Sequence, residues 1–339
     1  MARTATAAAV AGLAAAAAAW FGASPVQGVR LPASAPGSTA APASLRWEAQ
    51  ATDAAVPDTV LNAAAAIEIA VVDTGADVSA PELATRRVQT YDVVTHSSDV
   101  ADTFGHGTFV ASVAANAGGD APLLVVKAAD PTGRISAAAE AAAIRYAVTH
   151  GARIVNLSLA GPVTSPVERA AIRFATRRGV LLVAAAGNDY AQGNPVEYPA
   201  SLLQPVGSNG RGGVGLVVGA SGVDGARAPF SSSGSWISLA APGVQILGSV
   251  SRLSPATSFP RAPMSDPNAP YGFGNGTSFA APQVAGAAAL VWAANPSLTA
   301  REVATILERT ASGRGTWTPD LGYGVLDVAA AVASAAEPG

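Results

Sequence analysis

Four side chains in this sequence have the types and local settings that chemistry at a carbonyl would use. Ser278 lies in GNGTSFAAPQVAG (274–286), after a glycine-flanked turn and before a run of small residues. A serine there is either a nucleophile or the cap of the helix that follows, and serine is a favoured cap. His106 lies between two glycines in FGHGTFVASVAA. The glycines bring backbone close and leave room for a substrate, a setting that a core histidine does not need, so His106 is the candidate base. Of the other two histidines, His150 ends a helical stretch just before Gly151, where it complements the helix dipole, and His96 sits in polar VTHSSD. Asp73 closes an apolar run in VVDTGADVSAPEL; a carboxylate at the end of a buried strand is costly unless it is hydrogen-bonded or paired. Its DTG tripeptide also occurs in aspartic proteases, where two such loops supply a carboxylate pair. This chain has one DTG and an alternating strand–helix pattern, which argues against that assignment. Asn188, in VAAAGND, is by itself a turn residue. Beside a nucleophile its amide could donate to a developing oxyanion, a contact that contributes about 3 kcal/mol to transition-state binding.

These residues need a frame. Short apolar runs at 67–72 (IEIAVV), 123–128 (LLVVKA), 153–159 (RIVNLSL), 180–186 (VLLVAAA) and 215–220 (GLVVGA) read as buried strands. The segments TFVASVAANA, ISAAAEAAAIRYAVTH and SPVERAAIRFATRR between them read as helices. Ser165 and Glu168 form a capping box with Pro166 at the first helical position, and Thr299 with Glu302 repeats the box before REVATILERTA. Strands that are apolar throughout, alternating with helices, imply an α/β fold with a parallel sheet covered on both faces. Functional groups then gather at the carboxyl ends of the strands. Asp73, Ser158–Leu159 and Gly187–Asn188 all sit at such ends.

Composition narrows the class. The 339 residues suffice for one large domain or two small ones. The chain lacks cysteine, which excludes disulfides, thiol catalysis and cysteine-based metal sites. A net charge of −3 gives no electrostatic footprint for nucleic acid. At the N-terminus Arg3 precedes the apolar run 7–23 and then small residues, the pattern of a secretory signal peptide ending near Gly28. Residues 29–60, rich in Ala, Pro and Ser, read as a linker or short pro-segment, and 61–335 as the folded domain. No other segment is long and apolar enough to span a bilayer, so the expected product is an exported protein with no membrane span after signal removal.

Three motifs then occur together and in order: IAVVDTG, GHGTFVASVAA and NGTSFAAPQVAGAAAL. With IVNLSLAG, VAAAGN, YPAS, FSSSGSWISLAAPG and LGYGVLDVAAAV, the chain resembles the subtilisin family of serine endopeptidases (subtilases) over about residues 60–332. The resemblance implies a subtilisin-like three-layer sandwich with a mostly parallel central sheet and helices on both faces. It implies that Ser278 attacks the scissile carbonyl, His106 moves the proton and Asp73 orients the imidazole. Asn188 and the Ser278 backbone N–H would form the oxyanion hole. Substrates would be proteins or peptides, a monomer would suffice, and no cofactor is required. Structural calcium is common among relatives, but no ligands for it are assignable in this sequence.

The resemblance also maps a substrate cleft. The segment matching Ser158, Leu159 and Ala160 would pair with the peptide by strand addition, with residues 128–136 on the opposite edge. Ala185, Ala186 and Gly187 would wall the pocket for the residue before the cleaved bond. Glu197, in NPVEYPAS, occupies a position near the floor of that pocket that is often glycine in relatives. Pointing inward, it would favour Lys or Arg there; pointing outward, it would be a solvated glutamate like most others. Further departures are Ala160 for glycine, Phe109 and Gln283 for histidines, and Phe279 for methionine. The 29–60 stretch is short for an independently folding prodomain. A catalytically inactive subtilase fold used for binding, and a processing peptidase with few substrates, are the competing expectations.

Overall fold

A computed structural model describes residues 46–52, 54–255, 258–262 and 268–337. The signal-peptide segment 1–28 and residues 29–45 of the linker lie outside the described residues. Seven strands, β1 (Ile69–Asp73), β2 (Val88–Asp92), β3 (Leu123–Lys127), β4 (Ile154–Leu157), β5 (Leu181–Ala185), β6 (Gly215–Ser221) and β7 (Leu239–Pro242), form one sheet in the order β2-β3-β1-β4-β5-β6-β7. Every neighbouring pair is parallel. The helices in chain order are α1 (Trp47–Ala51), α2 (Asp58–Ala63), α3 (Pro81–Ala84), α4 (His106–Ala117), α5 (Ala137–Thr149), α6 (Pro166–Arg177), α7 (Ala200–Leu203), α8 (Thr277–Ala294), α9 (Ala300–Thr310) and α10 (Val328–Ala336).

Alternation along each strand divides the core in two. Ile69 and Val71 face α4, α8, α9 and α10, whereas Ala70 and Val72 face α5, α6 and α7. The result is the three-layer α/β sandwich that continuous apolar strands imply. Both capping boxes form: the Ser165 and Thr299 side chains accept from the Glu168 and Glu302 backbone N–H groups, and each glutamate accepts in return.

Five strands match the apolar runs to within a residue or two at their ends. The sheet also contains β2, whose sequence VQTYD is mostly half-exposed at the sheet edge, and the short β7. A separate antiparallel sheet of β8 (Ile246–Ser249), β10 (Tyr271–Gly274) and β9 (Arg261–Ala262) has no counterpart in the sequence reading. These strands are short or polar and carry no sustained apolar run.

Helix α8 runs through the core. From Thr277 to Trp292 only Ser278 is not fully buried. Small residues allow its close packing: a Cβ added to Gly286 would come within 2.5 Å of Ala117 Cβ on α4. Residues 46–52, within the stretch read as a linker, lie against the domain. Trp47 Nε1 donates to the Val244 carbonyl at 3.0 Å, Arg46 pairs with Glu82 at 2.7 Å, and the Val328 N–H donates to Thr52 O at 2.7 Å.

Four buried glutamates link this packing to pH. Burial raises Glu48 and Glu308 to about 7 against weaker opposing contacts, from its own backbone and Arg46 for Glu48 and chiefly from Arg211 for Glu308. Burial and the charge of Asp189 raise Glu197 to about 7; burial and the charge of Glu168 raise Glu140 to about 8. Each group keeps a proton in the folded state that the unfolded chain releases near pH 4.5. Stability therefore falls as pH rises from 4.5 through 8, by about 1.4 kcal/mol per pH unit for each such proton. Thermal unfolding of the Ser278→Ala protein, which removes self-digestion, is expected to give a clearly higher Tm at pH 5 than at pH 8. A flat profile would show that these carboxyls are not held neutral.

Candidate active site

Asp73, the last residue of β1, is only 2% exposed. Its Oδ1 accepts from the Thr74 N–H at 2.7 Å and meets His106 Nδ1 at 2.8 Å. His106 is the first residue of α4. Gly105 before it has φ +97°, a backbone region open to glycine, and Gly107 after it presses on the Asp73 loop. A Cβ on Gly107 would fall 2.2 Å from Gly75 O and 3.1 Å from Asp73 Cβ. The two glycines therefore have a steric reason: they let the helix start close on the carboxylate.

Asp102 was not singled out in the sequence. It is fully buried and accepts from Thr74 Oγ1, the N–H groups of Phe104, Gly105 and Thr108, and Thr108 Oγ1. Thr74 Oγ1 in turn accepts from the Gly107 N–H at 2.8 Å. This network ties the β1 loop to the start of α4. The signal for it was DTFGHGT, an Asp four residues before His106 at a helix entry. Burial of His106 favours its neutral form, but the charge and hydrogen bond of Asp73, with the charge of Asp102, outweigh it and raise the imidazole above its usual value.

Ser278 is the second residue of α8, and Gly276 is at the cap position. The helix-cap reading of Ser278 is thus corrected: the first N–H, from Thr277, is satisfied by Asn188 Oδ1 at 2.9 Å. The Ser278 N–H belongs to the first turn, whose N–H groups lack intrahelical acceptors. Four residues on, Pro282 has no N–H to offer the Ser278 carbonyl. Ser158 Oγ replaces it, donating to Ser278 O at 2.7 Å while accepting from Asn156 Nδ2 at 2.9 Å. The end of β4 thereby positions the start of α8. The Ser278 hydroxyl donates to the Ser158 carbonyl at 3.4 Å.

Asn188 follows β5. Its Oδ1 is occupied by the N–H and hydroxyl of Thr277, at 2.9 and 3.0 Å, which leaves Nδ2 to face the cleft. His106, Ser278 and Asn188 line one cleft of about 370 Å³, with Ser158, Leu159, Ala160, Ala185 and Glu197. Ala186, expected in the pocket wall, instead lies fully buried in the core against the α5–α6 side, because alternation at the strand end turns it away from Ala185. Gly187, at φ +106°, lies beneath the Glu197 carboxyl; a Cβ there would overlap Glu197 Oε2. Glu197 is 4% exposed and points inward. The half-buried Asp189, also in the lining and also overlooked in the sequence, is hydrogen-bonded to it. His96 is exposed, and His150 ends α5 with Nδ1 against Tyr146 O at 2.8 Å, both as expected.

The subtilase family model matches residues 64–324. Subtilisin E of Bacillus subtilis (strain 168) is 32% identical over 280 residues, which cover 78% of this chain and 65% of that protein. The subtilisin of Bacillus pumilus is 32% identical over 280 residues, 78% of this chain and 90% of that one. Among solved structures, fervidolysin from Fervidobacterium pennivorans, a keratinolytic enzyme related to subtilisin, aligns with a TM-score of 0.70 at 26% identity, over 85% of this chain and 45% of that one. A cold-adapted subtilisin-like serine proteinase aligns with a TM-score of 0.62 at 26% identity, over 77% of this chain and 88% of that one.

The chain belongs to the subtilase family.

Two departures of this subtilase from the family pattern prove to be one. The rings of Phe109 and Phe279 pack at a tilt of 49° with centroids 4.4 Å apart, and Phe279 also lies 5.6 Å from the His106 ring. Together with Phe259 they form an aromatic wall behind the imidazole. Gln283, one turn later, donates to Pro242 O and Phe279 O at 2.7 and 2.8 Å. Ala160 is exposed at the rim of the cleft. Among the described residues no cluster of three or more His, Asp or Glu side chains could hold a metal ion.

Proposed function

We propose that this subtilase is a serine endopeptidase that cleaves peptide bonds through an acyl-enzyme. The observation that carries this reading is the 2.8 Å contact of Asp73 with His106 Nδ1, at one cleft with Ser278 and Asn188. With Nδ1–H held by Asp73, the other ring nitrogen is free to accept the serine proton. Ser278 Oγ turns from the Ser158 carbonyl towards that nitrogen and attacks the scissile carbonyl. Asn188 Nδ2 and the Ser278 N–H receive the oxyanion, where the start of α8 adds a favourable dipole. His106 then protonates the leaving amine, and water repeats the sequence on the ester. Incubation with a fluorophosphonate probe and a mixed peptide library is expected to give labelling and cleavage by the wild type and neither by Ser278→Ala. A folded wild type that does neither would favour a binding role for this fold. Replacement of Asn188 by Ala is expected to lower kcat by roughly 10²–10³-fold with little change in KM, measured by steady-state peptide hydrolysis.

The residue before the cleaved bond is expected to be Arg or Lys, met by Glu197 and Asp189. Near neutral pH burial and Asp189 keep Glu197 partly protonated, and deprotonation above about 7 adds the charge that attracts a cation. The preference for Arg over Leu, as a ratio of kcat/KM, should therefore grow from pH 6 to pH 8.5. Glu197→Gln should flatten that growth; a constant ratio or an apolar preference would refute the assignment. Export fits the Arg3-led apolar N-terminus, and among the described residues no helix is long and apolar enough to cross a membrane. Mass spectrometry of the protein recovered from culture medium would locate any cut near Gly28.

A further inference from the structure

The segment from Ser158 to Pro162 walls two depressions. One holds Ser278 and Glu197. The other, of about 480 Å³, shares His106 with the first and has Gly133 and Ile135 on its opposite side. Glu140 and Glu168 line it. Both are buried, at 5% and 2% exposure. Glu168 Oε2 is used in the capping box of α6, accepting from the Ser165 N–H at 3.1 Å. Glu140 is different: its Oε1 is buried with no hydrogen-bond partner. Among the described residues no Lys or Arg forms an ion pair with either carboxyl, and Arg134 at the rim is exposed. A buried acid with an unpartnered oxygen, beside a second acid in the wall of a cleft, is suited to a cation. Burial and the neighbouring Glu168 charge hold Glu140 above the usual carboxylate range, as expected where that cation is absent.

A peptide added as a strand along Ser158–Ala160 turns successive side chains to opposite faces. With the side chain before the cleaved bond in the Glu197 pocket, the preceding residues run along this segment and past the second depression. We propose that Glu140 and Glu168 form a second cation subsite, which takes an Arg or Lys side chain of the substrate on the N-terminal side of the cleaved bond. The substrate class is then a peptide segment with two separated basic residues. This rests on the endopeptidase reading for the direction of the chain. Arg suits the site better than Lys, because a planar guanidinium can bond two carboxyls at once.

The test uses the full chain with Ser278→Ala and fluorescent octapeptides with Arg before the scissile bond. Arg or norleucine is placed in turn at each of the four preceding positions, and Kd is read by anisotropy. At one position Arg is expected to bind about tenfold or more tightly than norleucine, the scale of a charge-assisted contact. Glu140→Gln and Glu168→Gln should each reduce that ratio to less than about threefold, with norleucine peptides unaffected and Tm retained. Equal binding at every position, a ratio that survives both substitutions, or no binding of any peptide would overturn the subsite. Cleavage of the same peptides by the wild type separates the two readings. Arg-dependent binding without cleavage refutes the endopeptidase and keeps the subsite; cleavage indifferent to the upstream residue does the reverse.

Discussion

Ser278→Ala is expected to lower kcat/KM for peptide hydrolysis by at least about 10⁴-fold while leaving the fold intact. The structural cost is small because the hydroxyl makes a single long contact, 3.4 Å to the Ser158 carbonyl. The bond that matters for the fold is a different one: the Ser278 carbonyl accepts from Ser158 Oγ in place of the N–H that Pro282 lacks. Alanine at 278 keeps that carbonyl. Peptide affinity should survive too, because Asn188, Glu197 and the Ser158–Ala160 edge remain. The measurements are single-turnover hydrolysis, peptide Kd and Tm on the same preparation. Retained cleavage would remove Ser278 as the nucleophile. A collapsed Tm would mean that the loss reports folding rather than chemistry.

Asp73→Asn should cost about 10⁴ in kcat/KM near neutral pH, through the tautomer of His106. Asp73 can only accept from Nδ1, so the proton sits there and the other ring nitrogen is free for the serine proton. An asparagine that donates to Nδ1 forces the proton to the opposite nitrogen, where it blocks the base. The substitution also removes the charge that raises the imidazole, leaving burial as the dominant influence. The His106 pKa, followed by NMR of the ring protons, should therefore fall. Stability should fall modestly, because an Nδ2 in the place of Oδ1 cannot accept from the Thr74 N–H. Full activity in the Asn variant with an unmoved imidazole pKa would show that Asp73 does not orient the base.

The alternation of apolar strands and helices was legible because a parallel sheet covered on both faces demands it. Five of the seven sheet strands, both capping boxes and the three ordered motifs could be read directly. The elements missed are those where burial is partial or the run is short. β2 is half-exposed at an edge, and the β8–β10–β9 sheet is held by pairing rather than by an apolar stretch. In the site, residue type marked Asp73, His106, Asn188 and Ser278. It did not mark Asp102, Thr74 or Asp189, because a polar residue that holds a loop looks in sequence like any turn residue.

Sequence alone determined the family and the layer architecture, and it marked the four side chains that the fold gathers at one site. Those follow from residue types and short spacings, which the chain carries locally. Only the tertiary structure decided which way Glu197 points, that Ala186 belongs to the core rather than the pocket, and that Phe109 and Phe279 are one packed pair. Only it brought Glu140 and Glu168, from two different helices, to one depression. These outcomes depend on what lies opposite each side chain across the fold, such as the bare Gly187 backbone beneath the Glu197 carboxyl. Contacts between distant segments have no signature in a local pattern.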